Sequence, residues 1–184
     1  MQSAQDKTGL QAILHTDGGS RGNPGPAGIG FVLEEARLER RELPAGTDGF
    51  SCATVKEELT ATGRVLASGG AYTGEGTNNQ AEYQALIWGM QNAHATGVKQ
   101  LKVVADSELM VKQMQGLYKV KNPGIKMLFA QADALRKDFD EWSIEHTLRG
   151  GNKAADALVN LALDTRSSCG DFKVAWQSTG PSLF

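Results

Sequence analysis

The hydrophobic period changes once along this chain, and that change constrains the fold more than any other feature. Up to Tyr72 the apolar residues fall in short runs suited to strands, at Gln11 to Thr16, Ile29 to Leu33 and Arg64 to Tyr72. From Asn78 onward, helical spacing alternates with two further short strands. Helices are expected over Asn78 to Ala95, Asp106 to Leu117, Pro123 to Phe139 and Asn152 to Leu163, and strands over Leu101 to Ala105 and Trp142 to Leu148. Three strands followed by alternating helices and strands imply an α/β fold, a mixed sheet covered by helices. A chain of 184 residues suits one domain with a well-buried core and is too short for two. Residues 1–10 read as an N-terminal tail and 11–164 as the domain. Residues 165–184 read as either a tail or a docked extension around Phe172, Val174 and Trp176. Glycine-rich turns are expected from Gly18 to Gly28 and from Gly74 to Gly76. Glu34 to Thr62 fits no clean period; with its charged centre and a turn at Pro44 to Gly49, it reads as an extended hairpin or an inserted loop, 34–62.

Composition sets limits on function. Hydrophobic residues are 40% and charged residues 22%, ordinary for a folded domain, and no apolar run approaches the length of a membrane span. Met1 to Gly9 is polar and lacks a hydrophobic signal core, so a cytoplasmic location and no membrane partner are expected. Cys52 and Cys169 have no paired spacing and read as free thiols. The net charge of −2 counts against a general nucleic-acid binder. Carboxylates loaded with divalent cations, however, become locally positive. Charge is also uneven: Lys99, Lys102, Lys112, Lys119, Lys121 and Lys126 face only Asp106 and Glu108 in their segment. That stretch suits a phosphate backbone, or else forms a solvated face.

Four acidic residues stand at element ends beside the expected core: Asp17, Glu82, Asp106 and Asp156. A carboxylate there is expensive unless a cation compensates it. Sites in open sheets collect at such strand ends. Four hard oxygen ligands, with no cysteine or histidine pairing, suit Mg²⁺ or Mn²⁺ rather than zinc. Each residue also has a local explanation. Asp17 beside Gly18-Gly19 would form a turn. Glu82 has capping-box spacing from Asn79, Asp106-Ser107 would start a helix, and Asp156 favours a helix N-terminus.

Taken together, the motifs are specific. Asp17-Gly18-Gly19-Ser20-Arg21-Gly22-Asn23-Pro24-Gly25 resembles the opening motif of the type 1 ribonuclease H family. Thr77-Asn78-Asn79-Gln80-Ala81-Glu82-Tyr83 is similar to its second, Asp106-Ser107 to its third, and Asn152-Lys153-Ala154-Ala155-Asp156 to its fourth. They occur in the family's order and span roughly Ala12 to Asp164. The resemblance implies a ribonuclease H-like fold, a five-stranded mixed sheet of order 3-2-1-4-5 with helices on both faces. It implies that Asp17, Glu82, Asp106 and Asp156 are the catalytic, metal-holding quartet. Gly18, Asn23, Thr77, Asn78 and Asn79 would contact substrate, the asparagines in the hybrid's minor groove, where 2′-hydroxyls distinguish RNA. Glu82 would also reach a 2′-hydroxyl. Two departures stand out. Leu148-Arg149-Gly150-Gly151 occupies the loop where many members carry a histidine, and the nearest, His146, belongs to a strand. The family's basic protrusion is replaced by a short connection containing Lys119 and Lys121, as in the compact branch; these lysines are the substrate-binding candidates there.

The activity implied is an endoribonuclease that hydrolyses the RNA strand of RNA–DNA hybrids with two Mg²⁺ ions, Mn²⁺ substituting, leaving 5′-phosphate and 3′-hydroxyl ends. Asp17 would bridge the ions, with Asp156 on the water-activating side and Glu82 and Asp106 on the leaving-group side. No Ser-His or Cys-His pairing suggests a protein nucleophile. A monomer is expected. The alternatives are a catalytically silent nucleic-acid-binding module of this fold, and a related transposase or integrase core; the latter lacks the paired asparagines before the glutamate.

Overall fold

The computed structural model describes residues 9–43 and 54–177. Its elements run β1 (Leu10–Ser20), β2 (Gly25–Leu43), β3 (Thr54–Gly76), α1 (Asn78–Ala95), β4 (Val98–Ala105), α2 (Glu108–Met114), α3 (Pro123–Leu135), β5 (Glu141–His146), α4 (Lys153–Thr165) and β6 (Cys169–Asp171). The sheet order is β5-β4-β1-β2-β3-β6. The first three strands form an antiparallel meander, while β4 lies parallel to β1 and β5 parallel to β4. The expected 3-2-1-4-5 order is therefore present within a sheet of six strands rather than five. The sixth strand, β6, pairs its Cys169 to Asp171 with Gly70 to Ser68. It escapes a periodicity reading because it is three residues long and contains a glycine and an aspartate.

Strand alternation puts α1 and α4 on opposite faces. A Cβ on Gly18 would overlap the backbone of Ala81 and Glu82 in α1, while one on its neighbour Gly19 would meet Val159 of α4 at 3.7 Å. These glycines let both helices approach the end of β1. The core lies between the sheet and α1, which buries Ala81, Ala85, Leu86, Trp88, Met90 and Ala93. Residues 169–177 dock on that layer. The Trp88 indole N–H donates to Val174 O at 2.7 Å, and Phe172 and Trp176 pack against the Trp88 ring at centroid distances of 5.3 and 6.0 Å. Buried Asn92 accepts from the backbone N–H groups of Lys173 and Val174 at 2.8 and 2.9 Å. The C-terminal segment therefore docks through Phe172 to Trp176.

The stretch without a clean period is the outer part of the β2–β3 hairpin. Its ladder continues from Glu34↔Val65 to Leu43↔Thr54, with register shifts near Glu34. The turn expected at Pro44 to Gly49 lies outside the described residues, as does Cys52. Leu59 of this arm packs with Ile13, Ala36 and Val104, and Lys102 reaches Glu58 at 3.3 Å. Only a few of its side chains turn inward, which explains the missing period. The turn expected at Gly74 to Gly76 is instead the end of β3; there a bulge sets Ala27 against Gly74 and Gly28 against Tyr72, with Gly74 at φ +85°. Helix α2 is shorter than expected. It stops at Met114, and Gly116 at φ +77° turns the chain. Among the described residues no helix is long and apolar enough to cross a membrane, and Cys169 is a free thiol.

Candidate active site

Three of the four candidate carboxylates converge from three elements. Oxygen atoms of Asp17, Glu82 and Asp106 all lie within 4.8 Å of one another. Asp17 and Glu82 are buried, at 7% and 4% exposure. Asp156 is exposed in the first turn of α4 and lines the same cleft, about 480 Å³ in volume, as the other three. Asp17 belongs to β1 rather than to a turn, and Asp106 follows the last residue of β4. Parallel β1 and β4 pair Thr16 with Ala105, so the residue that follows each of these is a carboxylate.

The capping explanations for two of these residues fail. In α1 the N-cap is Thr77, whose hydroxyl accepts from the Gln80 N–H while the Gln80 side chain accepts from the Thr77 N–H at 2.9 Å. The capping box is therefore Thr77 and Gln80, not Asn79 and Glu82, and Glu82 faces the cleft instead. In α2 the N-cap is Ser107, which leaves Asp106 outside the helix. Asp156 does sit where the α4 macrodipole favours it.

Electrostatics mark the cluster as built for a cation. Burial, then the charges of Asp106 and Asp156, push the Asp17 carboxyl from its ordinary 3.8 up to about 7, and a hydrogen bond with Asp106 acts in the same direction. The Gly18 backbone N–H opposes this only partly. A divalent cation would neutralise the repulsion, and an all-carboxylate donor set suits a hard one.

The polar candidates surround this centre. The Asn78 N–H donates to the Asn23 side-chain oxygen at 3.2 Å, tying the glycine-rich turn to the start of α1. Asn78 and Gly18 line the acidic cleft. Asn79 lines a neighbouring groove of about 250 Å³ together with Lys119 and Lys121, and Ser107 borders both. At that groove the Tyr83 hydroxyl donates to Gln113 at 2.8 Å. Thr77 acts as the helix cap. Of the other lysines in the segment, Lys112 is paired with Glu108 at 2.5 Å and Lys102 with Glu145 at 2.9 Å, so neither is a free phosphate contact. His146 ends β5 opposite Ala105 and does not line the cleft.

One positioning residue lay unassigned within a quoted motif. Asn152 is buried at 2% and makes no side-chain cap bond; its amide donates to Thr16 O at 2.6 Å. It fastens the start of α4, which carries Asp156, to the strand that delivers Asp17. The only sequence signal was its place at the head of the fourth motif, which says nothing of a bond to the first strand.

Comparison with known proteins gives a consistent picture. A family model described as reverse transcriptase-like matches residues 48–162. Ribonuclease HI of Halobacterium salinarum is 36% identical over 160 residues, covering 87% of this chain and 68% of that protein. Among solved structures, the N-terminal RNase H domain of Rv2228c from Mycobacterium tuberculosis superimposes with a TM-score of 0.68 at 36% identity, covering 85% of this chain and 95% of that one. This chain spans only 36% of the length of the full mycobacterial protein, which is named as bifunctional. LC11-RNase H1, solved in complex with an RNA/DNA hybrid, gives 0.66 at 37% identity, over 85% of this chain and 99% of that one. With the four motifs in order and three of their carboxylates in one cluster, this chain belongs to the type 1 ribonuclease H family.

Proposed function

We propose that this enzyme hydrolyses the RNA strand of RNA–DNA hybrids, with Asp17, Glu82, Asp106 and Asp156 as its catalytic carboxylates. The observation that carries this reading is the convergence of Asp17, Glu82 and Asp106 within 4.8 Å at a cleft that Asp156 also lines. Asp17, Glu82, Asp106 and Asp156 would hold two Mg²⁺ ions, or Mn²⁺ in their place, which when bound would activate water for attack on phosphorus and stabilise the leaving 3′-oxygen, with 5′-phosphate and 3′-hydroxyl ends as products. The protein's part is to hold the acidic oxygens at fixed separations. Asp17 is anchored in the centre of the sheet, Glu82 on a buried helix, and Asp156 through the Asn152 clamp.

Strand choice rests on the residues flanking the cleft. Asn23, Asn78 and Asn79 are exposed and carry amides that both donate and accept, as a 2′-hydroxyl requires. Gly18 admits α1 so closely that Glu82 comes beside the strand end, and Thr77 holds the asparagine pair at the helix start. Lys119 and Lys121 border the adjacent groove and suit the phosphates of the DNA strand. The deciding experiment compares a labelled hybrid with duplex DNA and duplex RNA, in Mg²⁺, Mn²⁺ and chelator. Metal-dependent cutting of the RNA strand alone is expected. Cutting of duplex DNA, or binding of the hybrid with no cleavage in either metal, would overturn the proposal.

A further inference from the structure

We propose that Arg21 is a ligand for a phosphate of the RNA strand, held at the edge of the acidic cleft by Asp164; this rests on the hybrid-cleaving reading above. Arg21 is the only cation among the described residues lining that cleft, whose other charged walls are Asp17, Glu82, Asp106 and Asp156. A polyanionic strand entering it meets four like charges and one complementary one. The guanidinium is oriented rather than free. Its Nη2 lies 2.5 Å from an Asp164 carboxylate oxygen in the last turns of α4, 143 residues away in sequence.

Fold stability does not account for this pair. The two side chains are 51% and 62% exposed, and exposed ion pairs contribute about 0–1 kcal/mol. Asp164 engages one terminal nitrogen, while a guanidinium carries about five N–H donors in a planar fork that matches phosphate. The backbone beneath it is also set for the purpose. The Arg21 N–H donates to Pro26 O at 2.8 Å, Gly22 sits at φ +112°, and a Cβ on Gly25 would meet the Arg21 carbonyl carbon at 2.9 Å. Only glycine permits that close approach, so the turn holds residue 21 beside the cleft. The strand next to the carboxylates is the one being cut, which makes the phosphate one of the RNA strand; Lys119 and Lys121 border the separate groove.

The test is a set of three variants, Arg21→Ala, Arg21→Lys and Asp164→Ala. Steady-state cleavage is measured for each, and hybrid binding is followed by anisotropy in an Asp17→Asn background across roughly 50 to 200 mM salt. Arg21→Ala should raise KM about three- to tenfold and leave kcat within about twofold, because ground and transition states lose the contact together. It should flatten the slope of log affinity against log salt by about 0.9, one phosphate's share. Arg21→Lys should keep that slope with weaker affinity, since a lysine keeps the charge and loses the fork. Asp164→Ala should keep the slope too. An Arg21→Ala protein with unchanged KM and salt slope would overturn the assignment. So would an Arg21→Lys protein whose salt slope is as flat as that of Arg21→Ala, because the retained charge would then not be meeting a phosphate. A wild-type enzyme that fails to cut hybrids would instead remove the functional reading beneath it.

Discussion

Replacing Asp17 by asparagine should stabilise the metal-free protein while abolishing its activity, and the size of the gain should depend on pH in a defined way. The unfolded chain ionises Asp17 near its ordinary 3.8, whereas in the fold burial and the charges of Asp106 and Asp156 delay ionisation to about 7. The folded state therefore binds the proton more tightly, and the stability this contributes is fully present below about pH 4 and lost as pH rises to about 7. At pH 8 the full difference corresponds to about 4 kcal/mol against the ionised form. Relaxation of the fold around the charged form reduces this, and a gain of about 1–3 kcal/mol for Asp17→Asn is expected. In a domain of this size that is a rise in Tm of roughly 3–10 °C. Thermal melts in chelator should show the two proteins close together at pH 4 and increasingly apart up to pH 7–8. Adding Mg²⁺ should reverse the order, since the wild type gains binding energy that the variant has largely lost. A pH-independent Tm difference, or a wild type that Mg²⁺ does not stabilise, would refute the account of Asp17 as a desolvated carboxylate awaiting a cation.

Three further outcomes are expected. A duplex carrying a single ribonucleotide should be cut far more slowly than one with several, because the proposed contacts to 2′-hydroxyls from Glu82 and the asparagines would fall on more than one sugar; gel assays with matched substrates check this. Replacing Lys119 and Lys121 together by alanine should raise KM, leave kcat within about threefold, and flatten the salt slope by roughly one to two, read from binding titrations. Asn92→Ala should lower stability by about 1–3 kcal/mol, since it removes the buried side-chain oxygen that accepts from the half-buried backbone N–H groups of Lys173 and Val174; denaturant melts and faster hydrogen exchange across residues 169–177 would register it.

Much of this architecture is legible in the sequence because the responsible residues act locally. Helix α1 runs from Asn78 to Ala95 as expected, although it is buried on most of its faces and its cap is Thr77 with Gln80 rather than Asn79 with Glu82. The short apolar runs mark β1, β4 and β5. What sequence reading misses depends on partners far along the chain. The β2 and β3 arms extend through charged residues such as Arg40 and Glu57, because these pair across the ladder at 2.6 Å instead of facing the core. Strand β6 exists because Ser68 to Gly70, some 100 residues earlier, pair with it, and Trp88 and Asn92 hold the residues that follow it. Lys112 reads as a phosphate contact until the fold brings Glu108 and the Tyr118 ring around it. Asn152 shows no role of its own until Thr16 O is seen beneath its amide.

The acidic net charge of −2 also becomes intelligible once the site is in view. Four carboxylates around one cleft oppose a polyanion, and within a Debye length of about 10 Å that opposition is hardly screened. The cations that answer it are few: Arg21 beside the carboxylates, and Lys119 and Lys121 at the next groove. Lys102 and Lys112 are taken up by glutamates. Most of the compensating charge must therefore arrive with divalent ions, which makes metal and hybrid binding linked equilibria. By reciprocity, whatever factor the metal adds to hybrid affinity, the hybrid adds to metal affinity. A protein organised in this way has little use for a broadly basic surface. On the proposed reading its substrate grip would be conditional on the same ions that make the cut, so binding without metal should be weak, and the residues expected to matter most for holding the hybrid are the few cations placed at the cleft's borders.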